Sequence, residues 1–277
     1  MHATGDVLLD PALVGLLAAS RSAPWTAVTQ TFRHDDVTIV NLECTPGTGG
    51  APEVKQYTFR CADGPAQSAM HAAGVDVANL GNNHTQDFGP AAMLDGRARL
   101  LRAGLAPVGA GHDAAEANAP AIFARGGHTV AVVGFSRVVP YARWTAKDNH
   151  PGVASGYSIP SMVAAVHEAR ARADLVFATI HWGEEGKTVP LQEDVERAHA
   201  LIDAGATAVF GHHAHVLQPL EFYKGRPIFY GLANFVWPQN GPSGIAEVRV
   251  SSKGAISACL LPVTLTNGRP VPSRAHC

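Results

Sequence analysis

The sequence predicts an α/β protein in which short buried strands alternate with helices. The strands are indicated by short runs of β-branched, aromatic and other apolar residues, each followed by polar residues or glycine. These runs lie at residues 37–43, 75–84, 129–137, 174–183, 206–215 and 227–237. The helices are indicated by alanine-rich stretches whose apolar residues recur at three- and four-residue steps. The clearest of these stretches are residues 89–105, 161–173 and 191–206.

The remaining segments predict how the chain is organised. Residues 244–265 alternate in the manner of a hairpin with its turn at "SSKG", and this predicts an antiparallel pair near the C-terminus. The glycine- and proline-rich stretch 44–54 predicts a mobile loop. No linker, repeat or low-complexity stretch interrupts the sequence, so residues 1–277 are expected to form a single domain.

The composition limits the class of protein. With 277 residues, 46% of them hydrophobic, the chain can bury a large core. Its formal net charge of −2 argues against binding to nucleic acid or to anionic lipid. No run approaches the roughly 18 apolar residues of a membrane span, and no leader pattern precedes the first strand. The sequence therefore predicts a soluble, cytoplasmic protein without a membrane anchor.

The four cysteines do not have the spacing of a metal-binding motif. They are Cys44, Cys61, Cys259 and Cys277. In a chain of this length they are expected to be reduced and mostly buried. A disulfide between Cys44 and Cys61 is the less favoured alternative.

Polar side chains that can bind metal follow five of the apolar segments. They are Asp6, Glu43, the run Asn82–His84, His181, and the three histidines His212, His213 and His215 of "GHHAH". Each alone has an ordinary structural interpretation, such as a helix cap for Asp6 or a buried core histidine for His181. Because ligands of α/β sheets collect where strands end, we expect these side chains to lie together.

The mixture of ligand types indicates which metals would bind. Carboxylates, an amide oxygen and imidazoles without a thiolate favour Mn²⁺, Fe²⁺ or Zn²⁺. Six or seven candidates exceed the four ligands of a structural zinc site. Two divalent ions sharing a carboxylate would use that number, and such a pair suits attack of water on a phosphoryl group.

These motifs resemble the calcineurin-like metallophosphoesterase superfamily, and most closely its branch of CapA-type capsule synthesis proteins linked to poly-γ-glutamate synthesis. The resemblance extends over about residues 4–240. Its strongest parts include "GDVLL", "VNLEC", "GNNHTQDFG", "TIHWGEE" and "GHHAHVLQP". It implies a four-layer fold, in which two mixed β-sheets are flanked by helices.

The resemblance also implies a role for each matched residue. The implied metal ligands are Asp6, Glu43, Asn83, His181, His213 and His215. Among them, Glu43 would bridge the two ions, and His213 and His215 would each bind a different ion. His84 would be the catalytic residue that protonates the leaving group.

Two positions depart from the family pattern. The superfamily has a histidine two residues after the first aspartate, where this chain has Leu8. His2 is a candidate for the missing ligand, and a water is the alternative. Ala233 stands where the branch usually has glycine, which suggests a different substrate preference.

The function implied is that of a metal-dependent hydrolase, with a phosphoester of a small biosynthetic intermediate or a poly-γ-glutamate-related molecule as substrate. Arg60 and Arg137 are candidates for binding the substrate's anionic group, Glu185 for binding an amine or hydroxyl, and His212 for a substrate or supporting contact. The alternatives are hydrolysis or acyl transfer at an amide or γ-glutamyl bond, and a non-catalytic accessory role in polymer synthesis.

Overall fold

A computed structural model describes residues 1–61 and 63–273. Its first sheet has eight strands in the order β16-β15-β14-β1-β2-β3-β4, with β13 also beside β1. The strands are β1 (His2–Val7), β2 (Thr38–Leu42), β3 (Val77–Asn79), β4 (Ala106–Val108), β13 (Asn234–Val236), β14 (Gly241–Val250), β15 (Ile256–Thr266) and β16 (Arg269–Pro272). Strands β1 to β4 are parallel, whereas β14, β15 and β16 are antiparallel to their neighbours, so the sheet is mixed.

The second sheet has six strands in the order β11-β12-β10-β9-β7-β6. The strands are β6 (Ala121–Arg125), β7 (His128–Ser136), β9 (Leu175–His181), β10 (Ala208–His212), β11 (Leu220–Tyr223) and β12 (Arg226–Phe229). The four central strands are parallel and the two edge strands are antiparallel. A separate small pair joins β5 (Ala110–Gly111) to β8 (Gly152–Val153).

Seven α-helices accompany the sheets within the described residues. They are α1 (Leu16–Ala19), α2 (Thr29–Arg33), α3 (Gly64–Ala72), α4 (Gly89–Arg102), α5 (Ala114–Asn118), α6 (Ile159–Arg170) and α7 (Gln192–Asp203). The three long helices predicted from the sequence are α4, α6 and α7. Across residues 1–61 and 63–273, we find no helix with the length and apolar character that a membrane crossing requires.

The layering follows from the alternation of side chains along each strand. In the first sheet, Ile39 joins the apolar cluster shared with the second sheet, while its neighbour Val40 joins the cluster under the helices. In the second sheet, Val132 and Val133 divide in the same way. Each sheet is therefore buried on both faces, and the predicted arrangement of two mixed sheets flanked by helices is confirmed.

The structure divides one strand predicted from the sequence into two separate strands. The run 227–237 divides into β12, in the six-stranded sheet, and β13, in the eight-stranded sheet. Between them Ala233 adopts a left-handed conformation with φ of 60°, which turns the chain from one sheet to the other. This backbone region favours glycine, so Ala233 is held in a conformation that a residue with a Cβ rarely adopts.

The cysteines correct another expectation. Cys44 and Cys61 form a disulfide across 17 residues, with their Cα atoms 5.7 Å apart. Cys259 is not a free thiol either, and Cys277 lies outside the described residues. The expectation of reduced cysteines is wrong for the described ones, because the intervening loop folds back until Thr45 pairs with Arg60. Cysteine spacing alone does not indicate such a return.

We expect the double substitution Cys44→Ala/Cys61→Ala to lower the free energy of unfolding by about 3 kcal/mol, the value typical of closing a loop of roughly this length. Denaturant unfolding of both single variants and of the double variant measures this. If the two sulfurs act as one bond, the three variants lose similar amounts of stability. Additive losses from the two single variants would contradict the bond.

Candidate metal centre

The candidate site lies where the parallel strands of both sheets end. Asp6 is at the end of β1, Glu43 directly follows β2, and His181 closes β9. The loop after β3 supplies Asn83 and His84, and "GHHAH" spans the end of β10. The chain thus brings the predicted strand-end ligands together from both sheets, as the position of ligand sites in α/β folds predicts.

Two groups of side chains in this cluster have the geometry of a metal site. One contains Asp6, Glu43 and His181, and the other contains Glu43, His213 and His215. Within each group the ligand atoms lie within 4.8 Å of one another. Glu43 belongs to both groups, as the bridging role requires. His213 and His215 fall in the same group, so the expected division of these two histidines between the ions is not reproduced.

Glu43 is the strongest indication that the cluster suits a cation. It is fully buried, and neither of its carboxylate oxygens has a hydrogen-bond partner among the described residues. The nearest imidazole nitrogens are Nε2 of His181 at 3.5 Å and Nε2 of His215 at 3.8 Å. Burial, and then the charge of Asp6, raises the pKa of this carboxyl well above its usual value. Such a group is costly without a counter-ion, and a divalent metal would satisfy it.

Asp6 has a different environment from Glu43. Its Oδ1 accepts a hydrogen bond of 2.8 Å from the Asn41 amide, and its Oδ2 lies 3.1 Å from Nδ1 of His215. The backbone N–H of His213 also points at Oδ2, at 3.3 Å. Burial alone would raise the pKa of Asp6, but the contacts with His215, the charge of His212 and the hydrogen bond from Asn41 together lower it. Asp6 is therefore the ionised carboxylate of the pair.

Three of the buried histidines are neutral. Burial lowers the pKa of His181 well below its usual value, and it lowers the pKa of His212 and His213 to about 4. Neutral imidazole is the form that binds metals. Nδ1 of His213 is buried without a hydrogen-bond partner, and Nε2 of His181 lies 2.8 Å from Oδ1 of Asn83. Asn83, the predicted amide ligand, thus lies beside His181.

His215 carries the positive charge of the metal-free cluster. Burial would lower the pKa of its ring, but Glu43 and Asp6 together raise it to about 10. Nδ1 also lies 2.8 Å from Oδ1 of Asn234, which orients the ring. A cation at the metal site would replace this proton as the partner of the two carboxylates.

The backbone of "GHHAH" is held in an uncommon conformation. His213 has φ of 86° and His215 has φ of 56°, both in the left-handed region. Each such residue costs on the order of 1–3 kcal/mol, and residues of this kind cluster at functional sites. Here the two turns bring both imidazoles and the N–H of His213 to the carboxylates.

His84 lies beside the cluster and is buried. Its Nδ1 donates a hydrogen bond of 2.6 Å to Oδ2 of Asp87, and its ring stacks on Phe59 at 4.2 Å between centroids. Its backbone N–H donates a hydrogen bond of 3.0 Å to Oδ1 of Asn82. With Nδ1 occupied, Nε2 is the ring atom left to face a substrate.

His2 is not part of the site. It lies at the start of β1, at the opposite end from Asp6, with Nδ1 2.7 Å from Asp35 and Nε2 3.3 Å from Glu247. An extended strand places residues four positions apart about 13 Å from each other. The prediction that His2 replaces the missing imidazole is therefore not supported.

The two arginines predicted to bind an anion are engaged elsewhere. The guanidinium of Arg60 donates to the carbonyl oxygens of Gly47 and Gly49, at 2.9 and 2.7 Å. Arg137 pairs with the acidic first turn of α7, including Asp194 at 3.0 Å. Both guanidinium groups thus stabilise loops and helix ends instead of facing the cluster.

The other two predicted contacts lie close to the cluster. Glu185 is exposed on the loop after β9, and its charge contributes to the raised pKa of Glu43. His212 is buried, with Nε2 2.7 Å from the Thr179 hydroxyl and Nδ1 3.8 Å from Asp6. Its position is that of a supporting residue behind the carboxylates.

Three residues of the site were missed by the sequence interpretation. Asn41 binds Asp6 and lies 3.2 Å from Nδ1 of His181. Its position two residues before Glu43, on the same face of β2, was a usable signal. The spacing of Asp87 three residues after His84 was another. Lys55, whose Nζ lies 2.7 Å from Asp87, gave no signal because it comes from an irregular loop.

Two mixed sheets flanked by helices, with carboxylate, amide and imidazole side chains at their shared strand ends, define an α/β sandwich protein with a candidate metal site. Residues 1–239 match the family described as bacterial capsule synthesis protein PGA_cap. The chain belongs to this family.

Several curated relatives are named as capsule or polymer synthesis proteins. The chain is 33% identical over 205 residues to the PGA biosynthesis protein CapA of Bacillus subtilis strain 168, covering 71% of this chain and 52% of that protein. It is 33% identical over 227 residues to a probable polyglutamine synthesis accessory protein of Mycobacterium tuberculosis, covering 77% and 59%. The chain thus spans about half the length of the curated relatives it matches.

Solved structures share the fold at lower identity. A putative 5'-nucleotidase from Staphylococcus aureus, in complex with alpha-ketoglutarate, superposes with a TM-score of 0.61 at 15% identity, covering 99% of this chain and 55% of that one. A hypothetical protein from Thermus thermophilus gives a TM-score of 0.57 at 18% identity, covering 95% and 99%. At these identities the likeness shows the fold alone.

Proposed function

We propose that the chain is a dinuclear metal-dependent hydrolase, with a phosphoester of a small biosynthetic intermediate or a poly-γ-glutamate-related molecule as its substrate. The observation that carries the proposal is the Glu43 carboxylate, which is buried, has no hydrogen-bond partner in the described chain and is shared by two ligand groups. A purely structural role would leave that carboxylate at a large free-energy cost.

The residues would divide between two ions of Mn, Fe or Zn. Asp6 and His181 would hold one, with Asn83 beside them, and His213 and His215 would hold the other. Glu43 would join the two. When bound, the metals would lower the pKa of water and neutralise charge on the attacked group. Asn41 would hold Asp6 in place through its hydrogen bond, as outer residues of metal sites commonly do.

His84 would act as the proton donor to the leaving group. Asp87 holds Nδ1–H, so the ring would act as the doubly protonated imidazolium, give up its Nε2 proton and return to the neutral form, which burial favours by lowering the pKa of His84. Asn82 fixes the backbone at His84, and Phe59 limits the tilt of the ring. The proton would move to the departing oxygen or nitrogen as its bond to the attacked atom breaks.

We expect His84→Ala to keep its metal and its fold but to lose about 10²- to 10⁴-fold in kcat with poor leaving groups, the range typical of general acid catalysis. The loss should be much smaller with p-nitrophenolate, which departs without a proton. Steady-state kinetics on alkyl and p-nitrophenyl esters measures the difference. His167→Ala, at an exposed position on α6, is the matched control. Equal losses for both leaving groups would remove the proton-donor role.

Hydrolysis or acyl transfer at an amide or γ-glutamyl bond is the second candidate. It is favoured by the contacts of Arg60 with backbone oxygens of its own loop and of Arg137 with the first turn of α7, which occupy the two guanidinium groups predicted to bind a phosphate. The names of the relatives, which refer to PGA biosynthesis and polyglutamine synthesis, support a substrate with an amide or γ-glutamyl bond. Two ions can promote attack of water on an acyl carbon as well as on phosphorus.

A substrate panel tests these functions. The protein, loaded with Mn²⁺, would be assayed on p-nitrophenyl phosphate, bis-p-nitrophenyl phosphate and γ-glutamyl p-nitroanilide, with metal content measured on the same sample. Turnover of a phosphate ester that Glu43→Gln abolishes supports the first proposal, and turnover of the anilide supports the second. Two bound ions without any turnover would support the non-catalytic accessory role suggested by the name of the mycobacterial relative.

A further inference from the structure

The loop between Cys44 and Cys61, residues 45–60, is packed against the segment that carries His84. Its ends are joined by the disulfide and by the pairing of Thr45 with Arg60. Its middle is held by the N–H of Glu53, which donates to the backbone oxygen of Asp87 at 2.8 Å. The guanidinium carbon of Arg60 lies 3.6 Å from the centre of the Phe88 ring. These contacts tie the loop, including the stretch 44–54 whose composition predicts a mobile loop, to the segment that carries His84.

Asp87 is the point where this loop meets His84. The Asp87 side chain is fully buried, and both of its oxygens have donors. Oδ2 accepts from Nδ1 of His84 at 2.6 Å and from the backbone N–H of Phe59 at 2.7 Å. Oδ1 accepts from Nζ of Lys55 at 2.7 Å. Two of these three donors, including the cation, thus come from the loop.

Lys55 is unlike a lysine that binds substrate. Its ammonium group also donates to the backbone oxygen of Asn83 at 2.7 Å, and its side chain is 14% exposed. The ammonium thus binds the Asn83 carbonyl and the Asp87 carboxylate, and its Nζ also lies 3.3 Å from Nδ1 of His84. Removing it would leave Oδ1 of Asp87 buried without its donor, and the carboxylate would then turn or admit water.

We infer that Lys55 is a positioning residue, which acts through Asp87 and the Asn83 carbonyl to hold the His84 ring in the orientation for proton transfer. The loop closed by the disulfide positions the Lys55 ammonium, since Lys55 lies between the two cysteines in sequence. The inference deepens the proposed function and rests on it for its kinetic consequence. Its structural consequence, the fixed ring of His84, is measurable whether or not the protein is an enzyme.

The structural test is imidazole ¹⁵N-edited NMR of the full chain. The Nδ1 proton of His84, identified by its absence in His84→Gln, should be sheltered in the hydrogen bond to Asp87. In Lys55→Met we expect this proton to exchange with water at least about tenfold faster, as loss of a buried hydrogen bond predicts. Lys55→Arg should restore slow exchange, and Lys253→Met, in the exposed turn between β14 and β15, is the matched control. An unchanged His84 signal in Lys55→Met would overturn the inference.

The kinetic test uses the substrate on which the parent is active. Lys55→Met should lower kcat by about 10- to 100-fold for alkyl leaving groups, the loss expected from a misplaced catalytic group, and by less than about threefold for p-nitrophenolate. KM and bound metal should not change. A matching rise in KM, or an equal loss for both leaving groups, would contradict positioning. A parent without activity would refute the hydrolase proposal alone, and the NMR result would still decide the role of Lys55.

Discussion

Replacing Glu43 with glutamine should abolish metal binding and, in the metal-free protein, increase stability. Loss of an outer partner of a metal site already weakens binding about 10- to 100-fold, and the shared carboxylate should cost more than that. In the metal-free state, glutamine replaces a buried carboxyl group, which has no hydrogen-bond partner among the described residues, with a side chain that cannot ionise. We expect a gain of about 1–3 kcal/mol in the free energy of unfolding, the usual cost of such a buried group.

The gain in the free energy of unfolding from Glu43→Gln should increase as pH rises. Because the pKa of Glu43 is raised in the folded protein, the unfolded chain releases this proton first as pH rises. The parent therefore loses stability above the ordinary carboxyl pKa of 4.5, and the glutamine variant does not. Thermal unfolding in chelator at pH 4 and pH 7, with metal analysis of both proteins, measures this. A variant less stable than the metal-free parent at pH 7 would show that the carboxylate is satisfied without metal.

Gly5→Ala should be among the most destabilising single substitutions in the chain. A Cβ at Gly5 would lie 1.9 Å from the backbone oxygen of Ala233 and 2.6 Å from that of Leu232, and neither can move without displacing β13. We expect a loss of about 3 kcal/mol or more, at the upper end of the range for overpacking. Metal binding should weaken as well, since Asp6 is the next residue.

Gly15→Ala is the matched control for Gly5→Ala. No atom lies within 4 Å of the position its Cβ would take, and its φ of −54° suits alanine. Denaturant unfolding of both variants should place Gly15→Ala within about 0.5 kcal/mol of the parent, as for ordinary surface substitutions. Equal stability of the two variants would contradict the close approach of β1 to Ala233.

The sequence predicted the site best where a metal-binding side chain directly follows a recognisable buried strand. The strand-end positions of Glu43 and His181 were predictable because buried strands have a recognisable composition and parallel strands end at one edge. The arginines were not predictable in the same way. The partners of Arg60 are backbone oxygens of its own loop, and no side-chain pattern encodes them.

The tertiary contacts of irregular segments could not be predicted either. The Cys44–Cys61 bond and the reach of Lys55 to Asp87 depend on the path of a loop that has no period. Likewise, the change of sheet at Ala233 depends on a single positive φ inside an apolar run. The two contacts join residues that are distant in sequence, and the positive φ occurs at a residue type that rarely adopts it, so local propensity predicts none of the three.

The outermost strand of the larger sheet has a consequence for self-association. Directly after β16, Ser273 donates its N–H to the backbone oxygen of Pro262 on β15, so the N–H groups at alternate positions 269 and 271 face β15 as well. The positions between them, which face the open edge, are Pro270 and Pro272. Proline has no N–H, so over residues 269–273 this edge presents no donor to an incoming strand. A sheet edge of this kind resists the strand addition that leads to aggregation.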